Sequence, residues 1–404
     1  MPDRQRVIVV GAGPVGVVAA LSAARRGYAV TLVEAQTEID SSPRAATFHP
    51  STLDMIDGLG IMDEFLSVGL VARYFDYWDK PTRTLVARMD HDVLRHETRF
   101  PFVVQTEQHK LVRMALARLG SMADVDVRLG TTVEALEQDG RAVTVTLHGA
   151  DGEERVAADW LIACDGGRST IRKALDIEFD GYTWPERFVV LTTLYDFAGA
   201  MGCSPRSYFA DPDEWANLFK VAGDDLQGRW RVVFPAGVDE TDEQAMSDES
   251  AEARLSRIWP AQEPRELVHR NLYKVHQRVA AKFREGRIFL AGDAAHVNNP
   301  IGGLGLNCGI HDVMELLDTL DAVAVGGADE ALLDRYERRR RTLNIDFVQQ
   351  QTVDNKRRLE EKDPEKRRAR LDELAAIAED EERQRAFLRR TSLLDSVRRS
   401  ATID

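Results

Sequence analysis

Residues 6–34 read RVIVVGAGPVGVVAALSAARRGYAVTLVE, and this stretch decides the fold. Arg6 to Val10 is β-branched and apolar without alternation, the pattern of a parallel strand buried on both faces. Gly11, Gly13 and Gly16 follow at once, small residues continue in helical fashion to Arg26-Gly27, and a second strand over residues 28–33 ends at Glu34. That is a complete βαβ unit. Gly11 permits the tight turn, Gly13 lets the backbone approach a pyrophosphate, and Gly16 lets helix pack close to strand, with the helix N-terminus facing the phosphates. Glu34 stands where it can accept from a ribose diol, so the adenosine expected here carries no 2′-phosphate. FAD and NAD both satisfy this unit.

Two later stretches bear on that choice. Residues 158–172 form a buried strand that runs into a turn at Asp165-Gly166 and then a helix, which Ser169 is placed to cap. From Gly286 another strand leads to Gly292-Asp293, after which Gly302, Gly303 and Gly305 precede a helix. A glycine-rich loop in that position exposes a row of backbone N–H groups to a ligand with acceptor atoms, as the O2 and N1 edge of a flavin has. An aspartate at the end of the preceding strand can accept from a ribityl hydroxyl. NAD needs no such second loop.

With these three motifs in this order, the sequence resembles the single-component, group A aromatic hydroxylases, the p-hydroxybenzoate hydroxylase-like flavoprotein monooxygenases. The match is carried by Gly11-x-Gly13-x-x-Gly16, by Asp165-Gly166-x-x-Ser169-x-x-Arg172, and by Gly292-Asp293-Ala294-Ala295-His296 with Pro300 and Gly305-Leu306-Asn307 behind it, and covers about residues 5–345. The resemblance implies a Rossmann-like FAD-binding domain of the α/β class, interleaved with a mixed β-sheet substrate domain. It implies that Gly11, Gly13, Pro14 and Gly16 cradle the pyrophosphate, that Glu34 and Ala35 meet the adenosine ribose, and that Val133 meets the adenine. Arg44 and Gln108 fall where the family places flavin-contacting side chains. Asp293, after Gly292, would take the ribityl chain, and Gly303, Gly305, Leu306 and Asn307 the isoalloxazine edge. Asp165 lies in a motif linked both to FAD and to the transient nicotinamide nucleotide. Pro300 matches the proline at the reacting centre, but Asn299 stands where the family commonly has another proline, so Asn298 and Asn299 are candidates for the pocket wall. The implied chemistry is reduction of FAD by NADH or NADPH, addition of O2 to give a C4a-hydroperoxide, and transfer of its terminal oxygen to a small phenolic or heteroaromatic substrate. A flavin-dependent halogenase is a rival, though its tryptophan-rich element is missing. An oxidase or reductase, and a non-catalytic redox sensor, are further alternatives.

The chain has 404 residues, 44% hydrophobic and 30% charged, with a net charge of −14. That supports two lobes and excludes an electrostatic footprint for nucleic acid. Residues 1–72, 100–180 and 280–345 are expected to build the FAD lobe, 73–99 and 181–279 the substrate lobe, and 346–404 a charged helical tail. Strand-like runs at 188–194, 215–221 and 230–234 make Tyr208, Asn217, Phe219, Trp230 and Arg231 candidate substrate contacts. Cys164, Cys203 and Cys308 show no metal-like spacing, and no histidine is spaced for a metal. No apolar stretch of about 20 residues occurs, and no leader or thioredoxin-like domain is expected. A cytoplasmic monomer or homodimer, away from membrane and nucleic acid, follows.

Overall fold

The computed structural model describes residues 4–42 and 44–404. Strand β1 (Arg6–Val10), helix α1 (Pro14–Arg25) and strand β2 (Ala29–Glu34) form the expected βαβ unit. β1 and β2 pair in parallel, and the sheet extends in parallel through Trp160–Ala163 and Ile288–Leu290 on one side and Val125–Leu129 on the other. Val7 to Val9 are fully covered, as a strand sandwiched between layers requires. α1 packs between helices Gln108–Leu119 and Leu304–Ala324, and an antiparallel meander of Thr132–Gln138, Val143–Gly149 and Gly152–Ala158 completes the lobe.

A second sheet of eight strands lies across the first lobe. It is mixed: its pairs are antiparallel except for Arg206–Ala210 with Tyr74–Asp79, which run parallel. Both Tyr74–Asp79 and Thr84–Asp90 belong to it, and its far edge is the two-residue strand His296–Val297, which comes directly from the motif at Gly292-Asp293. The second sheet is thereby hydrogen-bonded to the loop that leads to Pro300. One face is apolar, with Phe209, Trp230, Val232 and Phe234 packed under helix Asp248–Ile258. The other face carries the polar positions.

The C-terminal region is helical, but the chain does not break at 346. Helix Asp334–Leu343 runs through a π-helical turn, Asn344–Gln349, into Gln350–Leu359. Helices Pro364–Glu379, Glu381–Thr391 and Leu394–Ser400 follow, and Leu374 and Leu388 join the core of the substrate sheet beside Phe75 and Tyr77. Charge patterning along these helices hid an apolar stripe that closes the outer sheet. Among the described residues, no helix is long and apolar enough to cross a membrane.

The longest strand pair, Phe179–Thr193 with Leu267–Ala280, carries Gly181 at φ +137°, where an added Cβ would stand 2.0 Å from the Gln277 carbonyl oxygen. Backbone cannot yield as a flexible side chain does. Gly181→Ala is therefore expected to lower unfolding free energy by about 1–3 kcal/mol, read by urea denaturation; an unchanged midpoint would show that the pair can spread at no cost.

Candidate active site

Two cavities of about 580 and 560 Å³ lie end to end, and they share Arg44, Ala45, Asp293 and Leu306 in their walls. The first runs along the carboxyl ends of the parallel strands, where open α/β sheets bind ligands. Gly11, Ala12, Gly13 and Pro14 form one wall, and Glu34, Ala35, Gln108, Val133 and Asp165 line the remainder. Helix α1 starts at Gly13 with no side-chain cap, so its first N–H groups are left for a ligand. A Cβ at Gly13 would meet nothing of the protein within 4 Å, whereas one at Gly16 would stand 1.8 Å from the Gly11 carbonyl oxygen. Gly16 thus lies outside the cavity and closes helix onto strand, while Gly13 leaves room for a bulky anion. These are the features a pyrophosphate needs.

Glu34 accepts from the backbone N–H of Ala12 at 2.7 Å and of Gln36 at 2.9 Å, which fixes its carboxylate at the cavity rim. A carboxylate has about four acceptor sites, so it can still meet a diol. Asp165 caps its own helix through Oδ2, which receives Thr170 N–H at 2.7 Å and Ile171 N–H at 3.2 Å, while its buried Oδ1 has no partner. Ser169 accepts from Arg172 N–H at 2.9 Å, the cap anticipated from sequence. Arg172 itself points away from the cavity. Its guanidinium donates to the carbonyls of Ala294 and Gly167 and lies 3.8 Å over the Phe179 ring, tying the second motif to the third.

Asp293 opens into both cavities from the floor of the groove, where the surrounding protein mass raises its carboxyl pKa. The preceding Gly292 is held from behind: its N–H donates at 3.0 Å to Asp312, which also accepts His296 Nε2 at 2.6 Å and Arg340 Nε at 2.7 Å. His296, Asp312 and Arg340 are all buried. Burial alone would lower the His296 pKa, but the Asp312 carboxylate reverses this and raises it to about 10. For Asp312 burial raises the pKa, and the two cations beside it bring it down below the ordinary carboxylate range. Sequence spacing showed no metal set, yet His296, Cys308 and Asp312 gather within 4.8 Å of one another. Arg340 occupies that space as the cation, with Nη2 3.1 Å from the Cys308 sulfur.

The second cavity is roofed by the polar face of the eight-stranded sheet. Tyr208, Asn217, Phe219 and Arg231 line it, opposite Pro300, Gly303, Gly305 and Leu306. Two expected contacts do not. Trp230 lies on the opposite face, edge-on to Phe197, because alternate residues of a strand face opposite ways and Arg231 takes the cavity side. Asn299 points into the protein, where its N–H and side chain both donate to Gln277; Asn298 takes the cavity side. Asn307 is buried as a clamp, accepting from His49 N–H and donating to the carbonyls of Thr47 and Gly303, so only its backbone remains near the loop. Arg206, Asn271, Tyr273 and Lys274 also line this cavity and were not singled out from sequence. For Arg206 the signal existed: it stands two residues before Tyr208, so it shares that face.

The matching family model is described as an FAD binding domain and covers residues 4–351. The chain is 36% identical to para-nitrophenol 4-monooxygenase of Pseudomonas sp. (strain WBC-3), over 89% of each chain. It is 33% identical to 6-hydroxy-3-succinoylpyridine 3-monooxygenase HspB of Pseudomonas putida (strain DSM 28022 / S16), over 96% of this chain and 98% of that one. Among solved structures, p-nitrophenol 4-monooxygenase PnpA from Pseudomonas putida DLL-E4 superposes with a TM-score of 0.88 at 33% identity, covering 96% of this chain and 97% of the other. Aklavinone-11 hydroxylase, solved with FAD and aklavinone, superposes with a TM-score of 0.76 at 28% identity, covering 89% and 70%.

The Asp312 cluster generates a pH-dependent expectation. Because the His296 pKa is raised from 6.5 to about 10, its contribution to stability is complete below pH 6.5 and lost as pH rises through 10. Urea midpoints of the unmodified protein should fall across that window and stay flatter in His296→Gln; parallel decline would refute the assignment. Asp312→Asn, which strands two buried cations, should cost about 3–5 kcal/mol at neutral pH.

Proposed function

The chain belongs to the FAD-binding-domain family of aromatic-ring monooxygenases, and from that premise we propose that it hydroxylates a small phenolic or heteroaromatic substrate with NADH or NADPH and O2. The observation that carries this reading is the junction of the two cavities at Arg44, Ala45, Asp293 and Leu306. A long cofactor groove that opens into a separate ring-sized chamber lets a flavin edge face a substrate. Two relatives are named for para-nitrophenol and 6-hydroxy-3-succinoylpyridine, a phenol and a hydroxypyridine.

In this reading the pyrophosphate rests on Gly11, Gly13 and Pro14 and the free N–H groups of α1, the ribose meets Glu34 and Ala35, and the adenine lies by Val133. Arg44 and Gln108 flank the flavin end, Asp293 takes a ribityl hydroxyl, and Gly303, Gly305 and Leu306 present the start of their helix to the ring edge. FAD bound there supplies hydride acceptance and activation of O2. The protein orients the substrate, with Pro300 at the chamber floor and Tyr208 and Phe219 overhead, and excludes water. Tyr273, whose hydroxyl pKa is raised by burial, stays a hydrogen-bond donor. One ring hydrogen is replaced by hydroxyl, NAD(P)H and O2 are consumed, and water leaves with the second oxygen. A cytoplasmic location fits the supply of reduced nicotinamide.

The deciding experiment is NAD(P)H oxidation by FAD-loaded protein over a panel of phenols, hydroxybenzoates and hydroxypyridines, with product mass and hydrogen peroxide both quantified. We expect substrate-stimulated oxidation and a product heavier by one oxygen atom. Stimulation that yields only peroxide from every panel member would instead mark an oxidase.

A further inference from the structure

The loop that runs from Val297 to the long helix uses its two kinds of backbone group differently. Its carbonyls are taken up one after another. Val297 receives Gln349 Nε2 at 3.2 Å, Asn299 receives Asn298 Nδ2 at 2.6 Å, and Pro300 receives Gly303 N–H at 3.0 Å. Ile301 receives Asn355 Nδ2 at 3.3 Å, Gly302 receives His49 Nε2 at 2.8 Å, and Gly303 receives Asn307 Nδ2 at 2.6 Å. By contrast, helix Leu304–Ala324 starts without a side-chain cap, and the Gly302 N–H has no acceptor among the described residues. Acceptors are tied into the protein while donors are left over.

One of these peptides has two ways to lie. The Pro300–Gly303 bond closes a four-residue turn whose third residue, Gly302, has φ +117°. Positive φ at that place belongs to a type II turn, and a type I turn differs from it by reversal of the central peptide, here Ile301–Gly302. Glycine accepts either sign of φ, so the turn residues do not choose between the two. In a trans peptide the N–H and C=O point opposite ways. With the Ile301 carbonyl turned to Asn355, the Gly302 N–H is turned away from the C-terminal helix, and Gly302 lines the second cavity. Reversal would put a carbonyl where that N–H now stands. Asn355 is 6% exposed on helix Gln350–Leu359, and it gives the Ile301 carbonyl its one hydrogen bond among the described residues.

We propose that Asn355 is a positioning residue for the cofactor: it locks the Ile301–Gly302 peptide with its N–H toward the flavin edge, and so raises the electron affinity of the bound ring. The proposal rests on the two joined cavities being the flavin and substrate sites. Reduction by NADH or NADPH delivers a hydride, two electrons with one proton, and leaves the ring with one negative charge. An N–H aimed at that edge favours the reduced ring, and a carbonyl in its place opposes it.

The test is the two-electron midpoint potential of the bound FAD, measured by stepwise dithionite reduction beside a reference dye. Asn355→Leu keeps the side-chain size and removes the donor; its potential should fall by about 30 mV or more, tenfold in the reduction equilibrium. Gly302→Ala makes positive φ costly and sets a Cβ 3.0 Å from Asn355 Nδ2, so it should shift the potential the same way. Asn355→Gln retains a carboxamide and should stay closer to the unmodified value. Leu374→Ala opens the core under the same C-terminal helices and leaves the loop's hydrogen bonds in place, so it should lower the thermal midpoint without moving the potential. An unshifted or raised potential in Asn355→Leu, or an equal fall in Leu374→Ala, would overturn the proposal. If Asn355→Leu holds no FAD, Gly302→Ala carries the same test with the same outcomes. A lowered potential in Asn355→Leu, with no oxygenated product from the unmodified protein on any panel substrate, would sink the hydroxylase reading and leave the lock standing. Oxygenated product with an unshifted potential would do the reverse.

Discussion

The Asp312 carboxylate ties together the parts of the chain that meet beneath the groove. It lies two turns inside helix Leu304–Ala324, fully buried, and accepts from three donors that come from different parts of the chain: Gly292 N–H, His296 and Arg340. A buried carboxylate is tolerable only when it is well partnered, and here two cations and one amide donate to it. The consequence is positional. Gly292 is fixed against the helix, so Asp293 is turned out into the groove, and the helix that begins with the glycine-rich loop is locked to the strand that leads into it. Removing the carboxylate would leave His296 and Arg340 as uncompensated charges beneath the groove.

The loop itself has a second support, built from neutral groups. Gln277, on the long strand of the substrate sheet, accepts from Asn299 N–H at 3.0 Å and donates to Thr352 Oγ1 at 3.0 Å. Asn355 donates to the Ile301 carbonyl, and Gln349 to the Val297 carbonyl. A π-helical turn widens the helix at 344–349 and brings Gln349 to the loop, a use such turns often have near functional sites. The helical run through residue 359 is therefore part of the active-site frame. Further on, Asp211 N–H donates to the Leu359 carbonyl and Arg385 to the Val93 carbonyl, so later helices brace the outer strands of the same sheet. The pocket roof and the cofactor loop are held in one hydrogen-bonded body, which limits how far either can drift.

The cofactor half was legible because its demands fall on the backbone. Close approach, a free N–H and a tight turn leave glycines at set spacing, and Gly11, Gly13, Gly16, Gly303 and Gly305 are visible in the sequence without any structure. The Ser169 cap followed from the same logic of strand ends and helix starts. The tail was legible as helix and illegible as scaffold, since Leu359, Leu374 and Leu388 are too widely spaced among charges to announce a buried stripe. Arg206, two residues before Tyr208, shared the face of a residue already singled out, but a charged residue in a strand whose five positions are all buried runs against the apolar pattern by which strands are recognised.

The substrate half obeys a different constraint. Strand side chains alternate faces, so a shift of one residue converts a pocket wall into core, as Trp230 beside Arg231 and Asn299 beside Asn298 demonstrate. The face under helix Asp248–Ile258 must stay apolar and close-packed. The cavity face carries Arg206, Tyr208, Asn217 and Arg231, side chains whose partners there are incomplete: Arg206 Nη1, Asn217 Oδ1 and Arg231 Nε have none in the protein. Polar groups on this face therefore keep hydrogen-bonding capacity that the protein itself does not use. Because alternate strand positions face opposite ways, the cavity-facing side chains are constrained separately from the close-packed face beneath the helix, so the chemistry of the roof can differ without disturbing that core.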